Sequence, residues 1–318
     1  MPISGPASYL PTTDEFLAHW SAANTALGAG NPITVFSGKT RANLLTLRTQ
    51  LETARATVEI LRNAREGERT NVETLKATLL ARLNQFVMKI RSLSPGTKWE
   101  NMLPKAYSIT DGMGRVIPAL DDVADIWSRY ETETASQLQL MDSYPLGDFL
   151  DGLTALKAGY TALSSADKGL GLQRGNRTEL ENQIQPILKA YRQRIPAEFP
   201  EGSALLATLP RLTPIPGSTP DPVVANGTFN ALTLTADLNW TESNEGDLAS
   251  YEVRGVAGPD YDTEDGVNLA TILPGAPRTL STNFALGTSG NAASYKVYVI
   301  TNAGNERGSN AVTVTRPG

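Results

Sequence analysis

The longest stretch with one hydrophobic period runs from Thr40 to Leu93. Leu44, Leu47, Leu51, Val58 and Leu61, then Val72, Leu75, Leu79, Leu83, Phe86, Ile90 and Leu93, recur at helical spacing and share one face. Beside that stripe, basic residues keep a seven-residue spacing: Arg41, Arg48, Arg55, Arg62, Arg69 and Lys76. Glu52, Glu59, Glu66 and Glu73 follow four places behind the middle four. Each such pair sits on one helix face and contributes about 0.2–0.5 kcal/mol. The pattern predicts a long helix with a partner helix packed along it. From Asn63 to Asn71 only Ala64 is apolar, and Gly67 lies midway. A hairpin there, with Thr70 and Glu73 capping a second helix, is the alternative. The basic spacing crosses this gap unbroken, so one continuous helix is expected. Arg62, Arg65, Glu66 and Arg69 would then face solvent or another subunit.

Shorter helical signals flank this one. Thr12 and Glu15 have capping-box spacing and predict a helix through about Leu27, striped by Phe16, Trp20 and Ala23. Ser94-Pro95-Gly96 stops the long helix, and residues 97–117 read as loop. Pro118 suits the first turn of a helix through about Tyr130. Two further helices are expected over about 146–166 and 178–195, the second kinked at Pro186. Ser203 to Leu209 adds a last turn or two.

At Pro210 the composition changes. Residues 213–221 form a Pro-rich linker, beyond which the period falls to two. Leu232, Leu234, Ala236, Leu238 and Trp240 alternate with polar residues; Tyr251 and Val253 open another strand, and Tyr295, Val297 and Val299 a third. Several short strands with turns between them predict a β-sandwich. Pro222, Leu238-Asn239-Trp240, Ser250-Tyr251-Glu252-Val253, Tyr295-Lys296-Val297-Tyr298-Val299, Asn302-Ala303-Gly304 and Ser309-Asn310 together resemble a fibronectin type III domain. The resemblance covers about residues 220–316, implies that fold and says little of function. The helical part is similar in layout to regions that precede such domains in bacterial proteins. With Tyr295, Val297 and Val299 inward, Tyr298 and Ile300 would point out as an exposed pair able to seed a contact with another subunit.

The fold class expected is therefore an N-terminal all-α bundle with one long helix, residues 1–212, and a C-terminal all-β sandwich, residues 222–318. At 318 residues, 40% hydrophobic and 19% charged, the chain can build two sizeable cores. It has no cysteine, which excludes disulfides and thiolate metal sites, and a single histidine, His19, which reads as a packed or surface side chain. No apolar run reaches the ~20 residues a membrane span needs. Met1-Pro2-Ile3-Ser4 lacks the basic start of a secretory signal, so a cytoplasmic location is expected, with leaderless export to the cell surface as the alternative.

Three strings resemble ligand motifs. Ser37-Gly38-Lys39-Thr40 ends like a phosphate loop, but Ile33 stands where that loop needs a glycine. Asp121, Asp122 and Asp125 have the spacing of the magnesium-diphosphate motif of isoprenoid synthases, since Mg²⁺ takes clustered oxygen ligands. They equally suit the first turn of a helix, where carboxylates complement the macrodipole. Asp260-Tyr261-Asp262-Thr263-Glu264-Asp265-Gly266 resembles a calcium loop. Its glycine arrives one place late and Thr271 stands where a bidentate glutamate belongs, so an exposed acidic loop is expected.

Net charge is -5 and uneven: residues 213–318 carry 5 basic and 11 acidic side chains. Neither part offers a footprint for nucleic acid. The expectation is a non-enzymatic structural or interaction protein without a cofactor, self-associating through the long helix or the sandwich. A carbohydrate- or protein-binding accessory role at the cell surface is the alternative, and a magnesium-diphosphate enzyme using Asp121, Asp122 and Asp125 comes third.

Overall fold

A computed structural model describes residues 2–28, 30–104, 107–108, 110–214 and 219–318. Residues 215–218 of the expected linker lie outside them. The helices are α1 (Tyr9–Leu27), α2 (Arg41–Leu93), α3 (Lys98–Met102), α4 (Met113–Thr134), α5 (Leu146–Glu198) and α6 (Ala204–Ala207). Among the described residues the strands are β1 (Ala225–Asn230), β2 (Thr235–Trp240), β3 (Leu248–Ala257), β4 (Val267–Ile272), β5 (Thr279–Thr282), β6 (Ala292–Thr301), β7 (Glu306–Gly308) and β8 (Val312–Thr315). The chain divides into two compact units, Met1–Asn63 with Gly169–Gly318, and Ala64–Lys168.

The helix across Gly67 is continuous. A Cβ at Gly67 would meet nothing within 4 Å, so Gly67→Ala is expected to stabilise the protein by about 1 kcal/mol. Urea denaturation checks this, and a destabilised variant would contradict it. The two helices expected over 146–166 and 178–195 are one helix, α5, which continues through Gly169, Gly171 and Gly175 and contains Pro186. Glycine weakens a helix without ending it when neighbouring turns are anchored, and here Leu170 and Arg177 are both buried. α1 begins at Tyr9, so Thr12 and Glu15 fall inside it. α4 begins at Met113 rather than at Pro118.

In the unit Ala64–Lys168, α2 and α5 run antiparallel. A Cβ on Gly152 would lie 3.2 Å from Leu79, and one on Gly159 would lie 3.3 Å from Val72. These glycines let the two helices approach closely. The core there gathers Leu79, Leu83, Phe86, Trp127, Phe149 and Leu156. Trp127 stacks on Phe86 at 5.3 Å, and its indole N–H donates to the Leu138 carbonyl at 3.2 Å.

In the other unit, α1 joins the first part of α2 and the last part of α5 around Phe16, Trp20, Leu44, Leu51, Ile187 and Tyr191. Trp20 stacks on Tyr191 at 4.4 Å. His19 is buried; its Nε2 donates to the Leu205 carbonyl at 2.8 Å, which leaves Nδ1 to accept from the Tyr191 hydroxyl at 2.7 Å.

The same unit holds the antiparallel sandwich. One sheet has the order β1-β2-β5; the other has β4-β3-β6-β7, with β8 also paired to β6. Ala236, Leu238, Trp240, Tyr251, Val253, Tyr295, Val297 and Val299 fill the space between them. Tyr295 donates its hydroxyl to the Phe284 carbonyl at 3.1 Å. Leu232 and Leu234 do not extend β2: Leu232 is fully exposed in the turn after β1, and Leu234 takes φ 58°.

Strands β3 and β6 depart from the alternation of a half-buried sheet. From Ser250 to Ala257 every residue of β3 is buried, and β6 is buried almost throughout. Burial on both faces means that something covers the outer face too. Tyr298 and Ile300, expected to be an exposed pair, are 6% and 4% exposed. They do face away from Tyr295, Val297 and Val299, but that side is closed within the chain, so they offer nothing to another subunit.

Candidate functional site: a buried charge cluster beside a cavity

The outer face of the larger sheet carries polar side chains that alternate with the sandwich core. Glu252 and Arg254 on β3 are both buried. Arg254 donates to Glu252 at 2.7 Å and to Glu306 at 2.6 Å, and its guanidinium lies 4.0 Å over the Tyr298 ring. Burial works against the charge of Arg254, yet the hydrogen bonds and charges of Glu306 and Glu252 outweigh it and hold its pKa above the ordinary value.

Next to this row lies the turn Thr263–Asp265, where Asp262 caps the backbone N–H of Glu264 at 3.0 Å. Asp265 follows with a side chain that is 0% exposed. Three arginines surround it. Arg62 of α2 donates to its carboxylate at 2.6 Å, and also to the carbonyls of Ala257 at 2.7 Å and Asp260 at 3.2 Å. Arg177 of α5 donates to the carboxylate at 3.0 Å and to the Glu264 carbonyl at 2.7 Å. Arg174 completes the set and reaches Asp262 as well. Two oxygens have four acceptor sites between them, so three guanidinium groups can satisfy one carboxylate. Burial lowers the Arg62 pKa, and Asp265 works in the opposite direction.

The acidic string 260–266 is thus an arginine acceptor with a buried centre, not the exposed loop expected. Arg62, expected to face solvent or another subunit, is 7% exposed and belongs to this cluster. Arg65, Glu66 and Arg69 are not part of it. Arg65 pairs with Asp167 at 2.8 Å and with Glu66, and Arg69 pairs with Glu73 at 3.0 Å.

A cavity of about 510 Å³ adjoins the cluster in the same unit. Its apolar wall includes Ala7, Leu10, Pro11, Val58 and Val267; Arg55, Glu59 and Arg177 supply charge, with Asp14, Glu252, Glu264 and Asp265 beside them. Arg55 and Glu59 have the spacing that joins Arg48 to Glu52 and Arg69 to Glu73. Among the described residues, these two form no ion pair with each other. Glu59 Oε1 is buried without a hydrogen-bond partner, and so is Arg177 Nε, which lies 3.9 Å from Glu181 Oε1. Burial lifts the Glu59 pKa from 4.5 to about 7, against the pull of the Arg62 charge. Burial likewise raises Glu181 and lowers Arg55.

The raised Glu59 pKa makes stability depend on pH. The folded protein keeps a proton that the unfolded chain releases between pH 4.5 and about 7. Stability from this group is fully present below pH 4.5 and is lost as pH rises to about 7. The effect is of the order of 1–3 kcal/mol once solvent screening is allowed for. Glu59→Gln, which stays neutral, is expected to remove that part of the pH dependence when urea midpoints are compared at pH 5 and pH 8. The same midpoint difference in variant and parent would contradict this.

Asp121 and Asp125 are exposed and pair with Lys157 at 2.6 Å and Arg129 at 3.7 Å; Asp122 is exposed beside them. Ser37 and Gly38 lie in a tight turn closed by the Val35–Lys39 bridge. Among the described residues no group of three or more histidine or acidic side chains is placed to hold a metal ion, and no helix is long and apolar enough to cross a membrane.

No protein-family model and no curated protein sequence matches the chain. Solved structures share part of it. Pectate lyase PelI from Erwinia chrysanthemi, in complex with tetragalacturonic acid, is 22% identical over 29% of this chain and 28% of its own, with a TM-score of 0.25. Pectate lyase Pel3 from Pectobacterium carotovorum is 15% identical over 29% and 27%, with a TM-score of 0.25. An Fn3-like protein from Clostridium thermocellum is 20% identical over 32% of this chain and 97% of its own, with a TM-score of 0.24. The chain therefore spans less than a third of either lyase.

Proposed function

We propose that this is a non-enzymatic structural or interaction protein, built from long paired helices and a sandwich of the fibronectin type III kind, and that it self-associates along its helices. The reading rests chiefly on an open groove of about 830 Å³ between the first part of α2 and the last part of α5. Thr46, Thr49, Thr53 and Thr57 wall it, together with Leu45 and Leu180. Each of those four hydroxyls donates to the carbonyl four residues earlier, at 2.9 to 3.1 Å. With its hydroxyls so engaged, the threonine wall presents methyl groups to an incoming partner. Leu45, Ile60 and Leu172 are exposed on the same two helices at 44%, 67% and 66%. Small side chains flanked by exposed apolar ones suit the close approach of another helix, and the occupant proposed is a second copy of this chain.

Light scattering after gel filtration tests the reading. A discrete oligomer is expected, and Thr53→Glu, which puts a charge in the groove, is expected to return it to monomer. A monomer at high concentration, or an oligomer indifferent to Thr53→Glu, would overturn it.

A further inference from the structure

The cavity beside Asp265 lies apart from the threonine groove and has its own lining. Along α2, most basic residues of the seven-residue column are matched: Arg41 donates to the Leu17 carbonyl, and Arg48 pairs with Asp14, Arg62 with Asp265 and Arg69 with Glu73. Arg55 and Glu59 are the exception. They lie four residues apart on one face and both line the cavity, yet they do not pair. Glu59 keeps a buried oxygen without a partner, and Arg177, 2% exposed, brings an unpartnered Nε to the same wall. A buried polar atom without a partner costs free energy that a ligand group can recover.

The charges define what would fit. A ligand with only positive charge is repelled by Arg55 and Arg177, and one with only negative charge by Glu59, Glu264 and Asp14. A molecule carrying both, with an apolar body between or beside them, meets Arg55 with its anion, Glu59 with its cation, and Leu10, Pro11 and Val267 with the remainder. Residues four apart on a helix rise about 6 Å, a charge separation longer than that of a single α-amino acid. The volume is within the range of about 300–1,000 Å³ usual for small-molecule sites. We propose that this cavity binds a small zwitterion with an apolar body, of dipeptide size, its carboxylate on Arg55 and its ammonium on Glu59. The site does not depend on self-association, and it concerns a ligand rather than a second copy.

Isothermal calorimetry on the intact protein at pH 8 tests it, with leucyl-leucine as the probe. N-acetyl-leucyl-leucine lacks the ammonium and leucyl-leucinamide lacks the carboxylate. Leucyl-leucine is expected to bind, with each blocked form weaker by roughly tenfold or more. Glu59→Gln should weaken leucyl-leucine by a similar factor and leave the acetylated form unaffected. Arg55→Gln should do the same for the amidated form and serves as the second variant if Glu59→Gln fails to fold by circular dichroism. No heat with leucyl-leucine, equal affinity for all three probes, or a variant that folds and binds leucyl-leucine like the parent would overturn the proposal.

Discussion

Asp265→Ala is expected to destabilise the protein by about 3–5 kcal/mol. The substitution leaves Arg62 and Arg177, 7% and 2% exposed, with no carboxylate between them. Most of the loss is the cost of buried charge left uncompensated, and not the worth of any one ion pair. A compensated variant separates the two. Asp265→Leu combined with Arg62→Met and Arg177→Met removes the buried charges together, leaves the part-exposed Arg174 its pair with Asp262, and is expected to recover much of the lost stability. Because Asp265 is shielded from solvent, added salt should change the single-variant loss little, whereas pairs such as Arg69–Glu73 are screened. Urea denaturation gives both values. A loss below about 1 kcal/mol for Asp265→Ala would place the pair among ordinary surface ion pairs and contradict this description of the cluster.

Trp127→Ala should cost about 3–5 kcal/mol, by removing a fully buried tryptophan from the core of residues 64–168. Trp127 is fully buried, touches Phe86 and Phe149, and satisfies both the Leu138 carbonyl and Glu131. Its loss creates a cavity and leaves the Leu138 carbonyl without its indole donor. The indole also fixes the Glu131 carboxylate that caps the Leu138 N–H at 2.8 Å, which gives a second readout: with that anchor gone, hydrogen exchange at Leu138 is expected to speed up. A variant as stable as the parent would show that Phe86 and Phe149 close over the gap.

Much of the architecture was legible because it rests on local periodicity. The α2 stripe and the unbroken basic spacing carried the helix across Gly67, and the period-two run located β2 through Ala236, Leu238 and Trp240. A single glycine or proline is weak punctuation. Gly169, Gly171 and Gly175 lowered helix propensity without breaking α5, and Pro118 lies inside α4 rather than at its start. Packing against a neighbour supplies what propensity lacks at such positions.

The charge cluster was not legible, for a different reason. Asp265 meets Arg177 across 88 residues and Arg62 across 203, and no local pattern reports contacts at that range. Glu252 and Arg254 alternated with apolar residues as they would on a solvent-facing strand, which concealed the covered face. A weak signal was present: Val256, Tyr298 and Ile300 are apolar on the supposedly wet side of the same sheet. Arg62 also lay in the one polar stretch of α2, where a buried ionic contact and an exposed surface look alike in sequence.

The sandwich is held to the helical segments of its own unit by its covered outer face and by Asp265. Replacing residues 215–218 with a site-specific protease sequence and cutting the chain there tests it most directly. At physiological salt the two fragments are expected to co-elute in gel filtration, and to separate when Asp265→Ala is present. Fragments of the parent protein that part on cleavage would contradict the claim.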